Sequence, residues 1–281
     1  EMCIRDRYWI EKHFNSNKEK NFLEKQINPV LSRLLSSRNV EANNFEDYMN
    51  PKIKNILPDP FILHDMEIAT NKIVEIIKEK KKIGIFGDYD VDGSTSTALL
   101  SKYLREAGVE FEFYIPDRIK EGYGPNEDAF TRLVDSNCEL IITLDCGTTA
   151  FKEIDFTNKK GVDVIVIDHH KQGKELPKAF AIVNPNKQSD NSNLVNLCAA
   201  GVTFLLLVSL NRELKKINFF KDGEPNLIFF LDLVALGTVC DLVKIDHLNR
   251  AFIKQGLRIL NHSPNLGVSS ILKESKIDSE V

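Results

Sequence analysis

Three short runs of mostly apolar residues divide the middle of the chain. They are Ile83–Phe86, Leu140–Leu144 and Val162–Ile167. Runs without polar alternation are typical of strands that are buried on both faces of a parallel sheet. The segments between the runs are long enough for helices, and apolar spacing predicts one over Ser94–Ala107. The pattern therefore predicts an α/β fold in which a parallel β-sheet is flanked by helices.

Shorter or less regular apolar patterns predict further strands and helices on both sides of these runs. Two short strands are predicted at Phe111–Ile115 and Ala181–Val183, and two helices are expected to end near Val134 and Asn158. Towards the N-terminus, the pattern predicts two short helices within residues 27–48 and a helix over Met66–Lys80. The C-terminal part is predicted to add further helices, at Ala199–Lys216, Leu227–Leu236, His247–Leu260 and Leu266–Lys273.

Prolines at positions 51, 58 and 60 mark an irregular connector, and they suggest a division of the chain. We expect residues 1–60 to form an N-terminal helical segment and residues 61–281 to form one larger domain. Residues 1–7 show no periodicity, and we expect them to be an artefact or disordered. The last residues show no clear closing element, which predicts that the chain is a fragment of a longer polypeptide.

Composition narrows the class of protein. The net charge is −4, so no overall basic character indicates nucleic-acid binding, although a local basic groove is compatible with this total. The five cysteines are scattered and form no C-x-x-C pair, which argues against a disulfide framework or a zinc knuckle. No apolar stretch is long enough to cross a bilayer, and no signal peptide is evident. We predict a cytoplasmic protein.

Acidic and imidazole side chains follow the predicted strands at the point where each strand ends. The groups are Asp88-x-Asp90-x-Asp92, then Asp145, then Asp168-His169-His170. The carboxyl ends of parallel strands meet at one edge of a sheet, so we expect all three groups to converge there. An isolated D-x-D-x-D is as often a solvated acidic turn, but its convergence with the other groups favours a metal site.

Asp241, which follows an apolar helix, forms a fourth group of candidate ligands. The full set is Asp88, Asp90, Asp92, Asp145, His169, His170 and Asp241. Two divalent ions held by such a set can bind a phosphate and activate a water. Because the ligands are carboxylates and imidazoles rather than thiolates, they favour Mn²⁺ or Mg²⁺ over structural zinc.

Four motifs in this order resemble those of the DHH phosphoesterase superfamily. They are Gly87-Asp88-Tyr89-Asp90-Val91-Asp92-Gly93, Asp145-Cys146-Gly147, Asp168-His169-His170 and Gly237-Thr238-Val239-Cys240-Asp241. Within the superfamily the chain looks most like the RecJ-like exonucleases, which are specific for single-stranded DNA and act from 5′ to 3′. Segments outside the metal motifs agree, among them Leu57-Pro58-Asp59-Pro60-Phe61 and Ile182-Val183-Asn184-Pro185-Asn186.

The resemblance implies a role for each motif residue. Asp90, supported by Asp88, would hold one metal ion. Asp92, His169 and Asp241 would hold the second ion. Asp145 would bridge the two ions, His170 would contact the scissile phosphate, and Asp168 would act as a further ligand or orient a histidine. Cys240 stands where alanine is common in the fourth motif, and we expect it to be buried and without consequence.

Other residues are candidates for contacts to the substrate. Ser94 and Thr95 would receive it at the start of the predicted helix, or would simply cap that helix. Arg118 would pair with a DNA phosphate or form a plain salt bridge. Tyr123 would stack on a base or pack within its turn, and Cys146 is expected to pack.

The resemblance implies a two-metal exonuclease that releases 5′-mononucleotides from single-stranded DNA in DNA repair and recombination. It implies a monomer, with a single-strand-binding protein and a helicase as partners through regions beyond this chain, including a DHH-associated C-terminal domain. Two alternatives stay open. One is a hydrolase of short oligonucleotides or cyclic dinucleotides, and the other is an inactive scaffold that binds DNA.

Overall fold

The computed structural model describes residues 10–221, 223–262 and 264–275. The prediction for residues 1–7 lies outside them. The chain forms two compact units that divide between Asn55 and Ile56. The first unit contains α1 (Ser16–Glu24), α2 (Pro29–Ser37), a 3₁₀ turn (Ala42–Asn44) and α3 (Phe45–Met49), and α4 (Ile53–Ile56) spans the division. Its core packs Phe22 and Leu35 against Val40 and Ala42.

The second unit is built on five parallel strands. These are β1 (Lys82–Gly87), β2 (Phe111–Tyr114), β3 (Cys138–Leu144), β4 (Asp163–Ile167) and β5 (Ala181–Val183), in the order β2-β1-β3-β4-β5. The α/β class with a parallel sheet is therefore confirmed.

Helices connect and flank the strands as the apolar spacing predicts. They are α5 (Met66–Lys78), α6 (Val91–Glu106), α7 (Glu127–Asp135), α8 (Phe151–Lys159), α9 (Ala199–Lys216), α10 (Leu231–Cys240), α11 (His247–His262) and α12 (Leu266–Glu274), with 3₁₀ turns at Pro60–Ile62 and Leu227–Phe230. No helix among the described residues is both long and apolar enough to cross a membrane.

The order of the strands fixes where a site can form. From β1 the chain crosses by α6 to β2 at one edge, and it then returns by α7 to β3 on the other side of β1. The loops after β1 and β3 therefore diverge to opposite faces and leave a crevice between them. Crevices of this kind, at the carboxyl ends of strands, are where open α/β sheets bind ligands.

Two predicted helices have wrong boundaries, and both helices contribute residues to the site. Helix α6 begins at Val91 rather than Ser94, because Asp90 is its N-cap and accepts a hydrogen bond from the Gly93 amide at 2.9 Å. Helix α10 begins at Leu231, after a 3₁₀ turn, and continues through Gly237 to Cys240. Cys240, which we expected to be buried, is exposed at the end of this helix.

Candidate metal centre

The loop after β1 carries three aspartates with different surroundings. Asp88 is buried directly after the strand, Asp90 is exposed as the cap of α6, and Asp92 is buried in the first turn of that helix. Gly93 permits this tight path, because a Cβ there would lie 2.5 Å from the Asp88 carbonyl oxygen. The glycine thus lets the helix start against the end of β1, with all three carboxylates at the crevice.

Asp145 follows β3 in a left-handed backbone conformation, with a φ of 62°. Its amide donates to the Ile167 carbonyl at 2.9 Å, which ties the turn to the end of β4. Aspartate tolerates this region better than most residues, but the conformation is still uncommon away from glycine. The turn buries the carboxylate and places its Oδ1 atom 3.2 Å from Nε2 of His169.

Asp168 organises the two histidines that follow β4. Its Oδ1 atom accepts hydrogen bonds from the His169 amide at 2.7 Å, from the His170 amide at 3.1 Å and from Nδ1 of His170 at 2.8 Å. Burial raises the pKa of the Asp168 carboxyl, but the hydrogen bonds and charge of His170, together with the bond from Thr148, outweigh burial and bring the pKa to about 2. The bond from Nδ1 of His170 also raises the pKa of that histidine.

Asp241 reaches the crevice from the end of α10. Its Oδ2 atom lies 3.6 Å from Nε2 of His169, which is also 3.7 Å from Oδ2 of Asp92. Gly237 permits this approach, because a Cβ there would lie 2.6 Å from Oγ1 of Thr95 and 2.9 Å from Oδ1 of Asp92. The chain therefore brings all four predicted motifs to one place.

The side chains of the crevice form three overlapping sets of possible metal ligands, each with ligand atoms within 4.8 Å of one another. The sets are Asp88, Asp90 and Asp145; Asp92, His169 and Asp241; and Asp145, His169 and His170. Four ligand atoms of the crevice are buried without a hydrogen-bond partner among the described residues: Oδ1 of Asp88, Oδ1 of Asp145, Nε2 of His169 and Oδ2 of Asp241. Buried polar atoms are normally satisfied. Lone pairs that converge without donors are suited to divalent cations, and the mixed oxygen and nitrogen set fits Mn²⁺ or Mg²⁺.

The pKa values of the carboxyls in the crevice also indicate a cation site. Burial, followed by repulsion from Asp92 and Asp90, raises the pKa of Asp145 to about 11. Burial also raises the pKa of Asp92, to about 6, and the pKa values of Asp88 and Asp241. Carboxyls that resist ionisation when crowded and buried are stabilised as carboxylates by a cation among them.

Three further residues, Ser94, Thr95 and Arg118, are predicted to contact the substrate phosphate. Ser94 is half-buried and lines an open groove of about 840 Å³ along α6, which the acidic cluster does not line. Thr95 is buried, and its hydroxyl donates to the Asp92 carbonyl at 3.1 Å. Arg118 is exposed, and its guanidinium lies 5.3 Å from the centre of the Tyr89 ring. Their roles as phosphate contacts stay predictions.

Tyr123 and Cys146 are the two other predicted neighbours of the metal ligands. The Tyr123 hydroxyl lies 3.4 Å from Nδ1 of His170 and 3.4 Å from the Asp145 carbonyl, so this ring borders the centre. Cys146 is buried as expected.

Sequence reasoning missed the polar residues behind the histidines. Asn184 and Asn186 follow β5 and donate to the carbonyls of His170 and His169. Thr148 donates its amide to Oδ2 of Asp168 at 3.1 Å. The signal was available, because Asn184-Pro185-Asn186 follows a strand at the same sheet edge as the other motifs.

Comparison with known proteins agrees with the geometry. The model of the DHH family, N-terminal domain, matches residues 82–238. The single-stranded-DNA-specific exonuclease RecJ of Bacillus subtilis (strain 168) is 36% identical over 269 residues, which are 95% of this chain and 33% of that protein. The RecJ of Escherichia coli (strain K12) is 33% identical over 263 residues, which are 92% of this chain and 45% of that protein.

A solved structure of RecJ from Thermus thermophilus in complex with Mn²⁺ superposes with a TM-score of 0.78 at 27% identity, covering 97% of this chain and 38% of that one. The chain thus spans between a third and a half of the length of the two curated relatives. The family model covers more than half of the chain and includes three of the four motifs in full. The chain belongs to the DHH family.

Proposed function

We propose that this chain is the catalytic part of a two-metal exonuclease that removes 5′-mononucleotides from single-stranded DNA. The observation that carries the proposal is the convergence of four unpartnered, buried ligand atoms in one crevice. The RecJ relatives, named as exonucleases specific for single-stranded DNA, supply the substrate class. We take residues 61–281 as the catalytic domain, with residues 1–60 as a helical segment before it.

The three ligand sets suggest how two ions would be held. Asp88 and Asp90 would hold one ion, His169 would hold the other with Asp92 and Asp241, and Asp145 would lie between both. Mn²⁺ or Mg²⁺, when bound, supplies positive charge for a phosphate and lowers the pKa of a water. The chain therefore needs no side-chain nucleophile.

The residues of the chain would orient the substrate phosphate. Nδ1 of His170 is engaged by Asp168, which fixes the orientation of the ring and stabilises its charged form. The half-exposed ring of His170 is therefore suited to contact the scissile phosphate. Ser94, Thr95 and the exposed Arg118 are proposed as further phosphate contacts.

The wider biological setting is part of the same proposal. We infer a role in DNA repair and recombination, action as a monomer in the cytoplasm, and a single-strand-binding protein and a helicase as partners. The likeness to exonucleases that are specific for single-stranded DNA supports the action on DNA within this proposal.

The test is hydrolysis of a 5′-phosphorylated single-stranded oligonucleotide with Mn²⁺, beside duplex DNA and a dinucleotide. We expect release of 5′-mononucleotides from the single strand alone, and no detectable release by Asp145→Ala. Asp155→Ala is the matched control, because Asp155 lies on α8, is exposed and pairs with Lys159. This control should cleave at the rate of the unchanged chain.

Other outcomes separate the alternatives. Cleavage of the dinucleotide alone would identify a hydrolase of small substrates. Absence of Mn²⁺ binding in calorimetry, with DNA binding retained, would identify a scaffold. Retained hydrolysis by Asp145→Ala would overturn the assignment of the site.

A further inference from the structure

All four backbone polar groups of the His169–His170 pair are bonded to side chains. Both amides donate to Asp168, at 2.7 and 3.1 Å. The His169 carbonyl accepts from Nδ2 of Asn186 at 2.6 Å, and the His170 carbonyl accepts from Nδ2 of Asn184 at 2.8 Å. The backbone that carries two predicted catalytic groups is thus held from both sides.

The two asparagines are themselves fixed. The Asn186 amide donates to Oδ1 of Asn184 at 2.8 Å, so the side-chain oxygen of Asn184 is assigned and its Nδ2 must face the His170 carbonyl. The same Nδ2 atom donates to Oγ1 of Thr148 at 2.9 Å. Asn184 is fully buried, and Asn186 is half-buried. The loops after β3, β4 and β5 therefore form one hydrogen-bonded network behind the metal centre.

We propose that Asn184 and Asn186 are positioning residues, which set the two histidine rings by holding the carbonyls of His170 and His169. The inference rests on the proposed function, because it assigns these residues to the same metal centre. An imidazole ligand must meet a cation with its lone pair aligned, and groups that orient ligands are typically worth about 10- to 100-fold in metal affinity or activity.

The two asparagines bond different histidines, so the loss of each should affect different ligands. Asn186 holds His169, which shares a ligand set with Asp92 and Asp241. The set of Asp88, Asp90 and Asp145 contains neither histidine. Loss of the Asn186 amide should therefore weaken one ion site and spare the other, whereas a general loss of stability would weaken both.

The experiment is calorimetric titration of Mn²⁺ into the unchanged chain, Asn186→Ala and Asn158→Ala. Asn158 is a matched control, because this exposed residue near the end of α8 also donates its Nδ2 to a backbone carbonyl, that of Lys178 at 2.8 Å. We expect Asn186→Ala to weaken one Mn²⁺ site by about 10-fold and to change the other by less than about threefold. Asn158→Ala should leave both sites unchanged.

Metal-free melting temperatures give the second readout. Asn186→Ala should melt close to Asn158→Ala, so that the change in affinity is separated from unfolding. Should Asn186→Ala fail to fold, Asn186→Ser replaces it, since the serine hydroxyl is too short to reach the His169 carbonyl but keeps the loop polar.

Each result decides the inference. Equal Mn²⁺ affinities of Asn186→Ala and Asn158→Ala at both sites would overturn it while leaving the proposed function intact. Equal weakening of both sites would also overturn it, because that indicates a structural role. An unchanged chain that binds no Mn²⁺ would overturn the proposed function and this inference together.

Discussion

The carboxylate of Asp92 accepts a hydrogen bond from the amide of Ala199, and the two residues stand 107 positions apart in the chain. The Oδ2 to nitrogen distance is 2.6 Å, and Oδ1 lies 2.9 Å from the amide nitrogen of Ala200. Both amides belong to the first turn of α9, whose N-cap residue, Cys198, makes no side-chain cap bond. One carboxylate thus caps a distant helix and faces the metal centre.

Because Asp92 has both roles, we expect its substitution to lower the free energy of unfolding more than substitution of Asp241, which belongs to the same ligand set. Asp92→Ala leaves two buried amides without an acceptor, which costs roughly 1–3 kcal/mol. Oδ2 of Asp241 has no hydrogen-bond partner among the described residues, and loss of this carboxylate removes its repulsion of Asp92. In EDTA, Asp92→Ala should melt several degrees below Asp241→Ala.

Both substitutions should weaken Mn²⁺ binding, since both remove a ligand from the same set. Equal melting temperatures of the two metal-free variants would show that the α9 amides find other partners. Asp155→Ala, outside the centre, should match the unchanged chain in both measurements.

The raised pKa values of Asp145 and Asp92 predict how stability depends on pH. The folded pKa values are about 11 and about 6, above the ordinary value of 3.8. For Asp92 between pH 3.8 and about 6, and for Asp145 between pH 3.8 and about 11, the folded chain keeps a proton that the unfolded chain releases. Stability of the metal-free protein therefore falls as pH rises, by up to about 1.4 kcal/mol per pH unit for each such carboxyl.

The measurement is thermal unfolding between pH 5 and pH 8, with EDTA or with saturating Mn²⁺. The melting temperature in EDTA should fall across this range, and the increase produced by Mn²⁺ should grow with pH, because cations compete with protons for the carboxylates. An increase that shrinks with pH would contradict the assignment of these groups as ligands.

Asp168→Asn should lower the pKa of His170. The substitution keeps the size of the side chain but removes the charge that stabilises the imidazolium through the 2.8 Å bond. In NMR titrations of the EDTA-treated protein, the His170 signal should titrate at lower pH than in the unchanged chain. His262, on α11, bonds a backbone carbonyl and serves as the internal reference. Unshifted titration of His170 would show that Asp168 does not set its charge.

Gly237→Ala should damage the centre through packing alone. The new Cβ would overlap Thr95 and Ala200, at 2.6 and 2.8 Å, and such overpacking typically costs about 1–3 kcal/mol. Both the melting temperature and Mn²⁺ affinity should fall, because α10 carries Asp241. Gly173→Ala is the control, since its Cβ would meet only the Glu175 carbonyl at 4.0 Å. Equal behaviour of the two variants would mean that α10 moves freely aside.

The convergence of the motifs could be predicted from the sequence because it follows from strand direction alone. Apolar runs identify the strands, and parallel pairing puts the residues after Phe86, Leu144 and Ile167 at one edge. The strand order was not accessible in this way, since pairing of β1 with both β2 and β3 depends on packing between distant segments.

Local rules failed where tertiary contacts override them. Gly237 disfavours a helix interior, so the predicted helix stopped before it, yet α10 needs a glycine to approach Asp92. Asp90 was assigned to a loop with metal ligands, although aspartate is among the preferred N-caps. The strand before Asn184 indicates which sheet edge the two asparagines occupy, but the carbonyls that they bond depend on which loops adjoin, and spacing does not supply that knowledge.

The position of Asp241 has a consequence for synthesis of the protein. The ligand set of Asp92, His169 and Asp241 draws on residues after β1, after β4 and after α10, so it is incomplete until the segment that ends at Asp241 has left the ribosome and packed. A nascent chain that has folded only its first strands lacks this ion site. Under the proposed function, the order of the motifs along the chain therefore means that an incomplete nascent chain cannot cleave DNA with two metal ions.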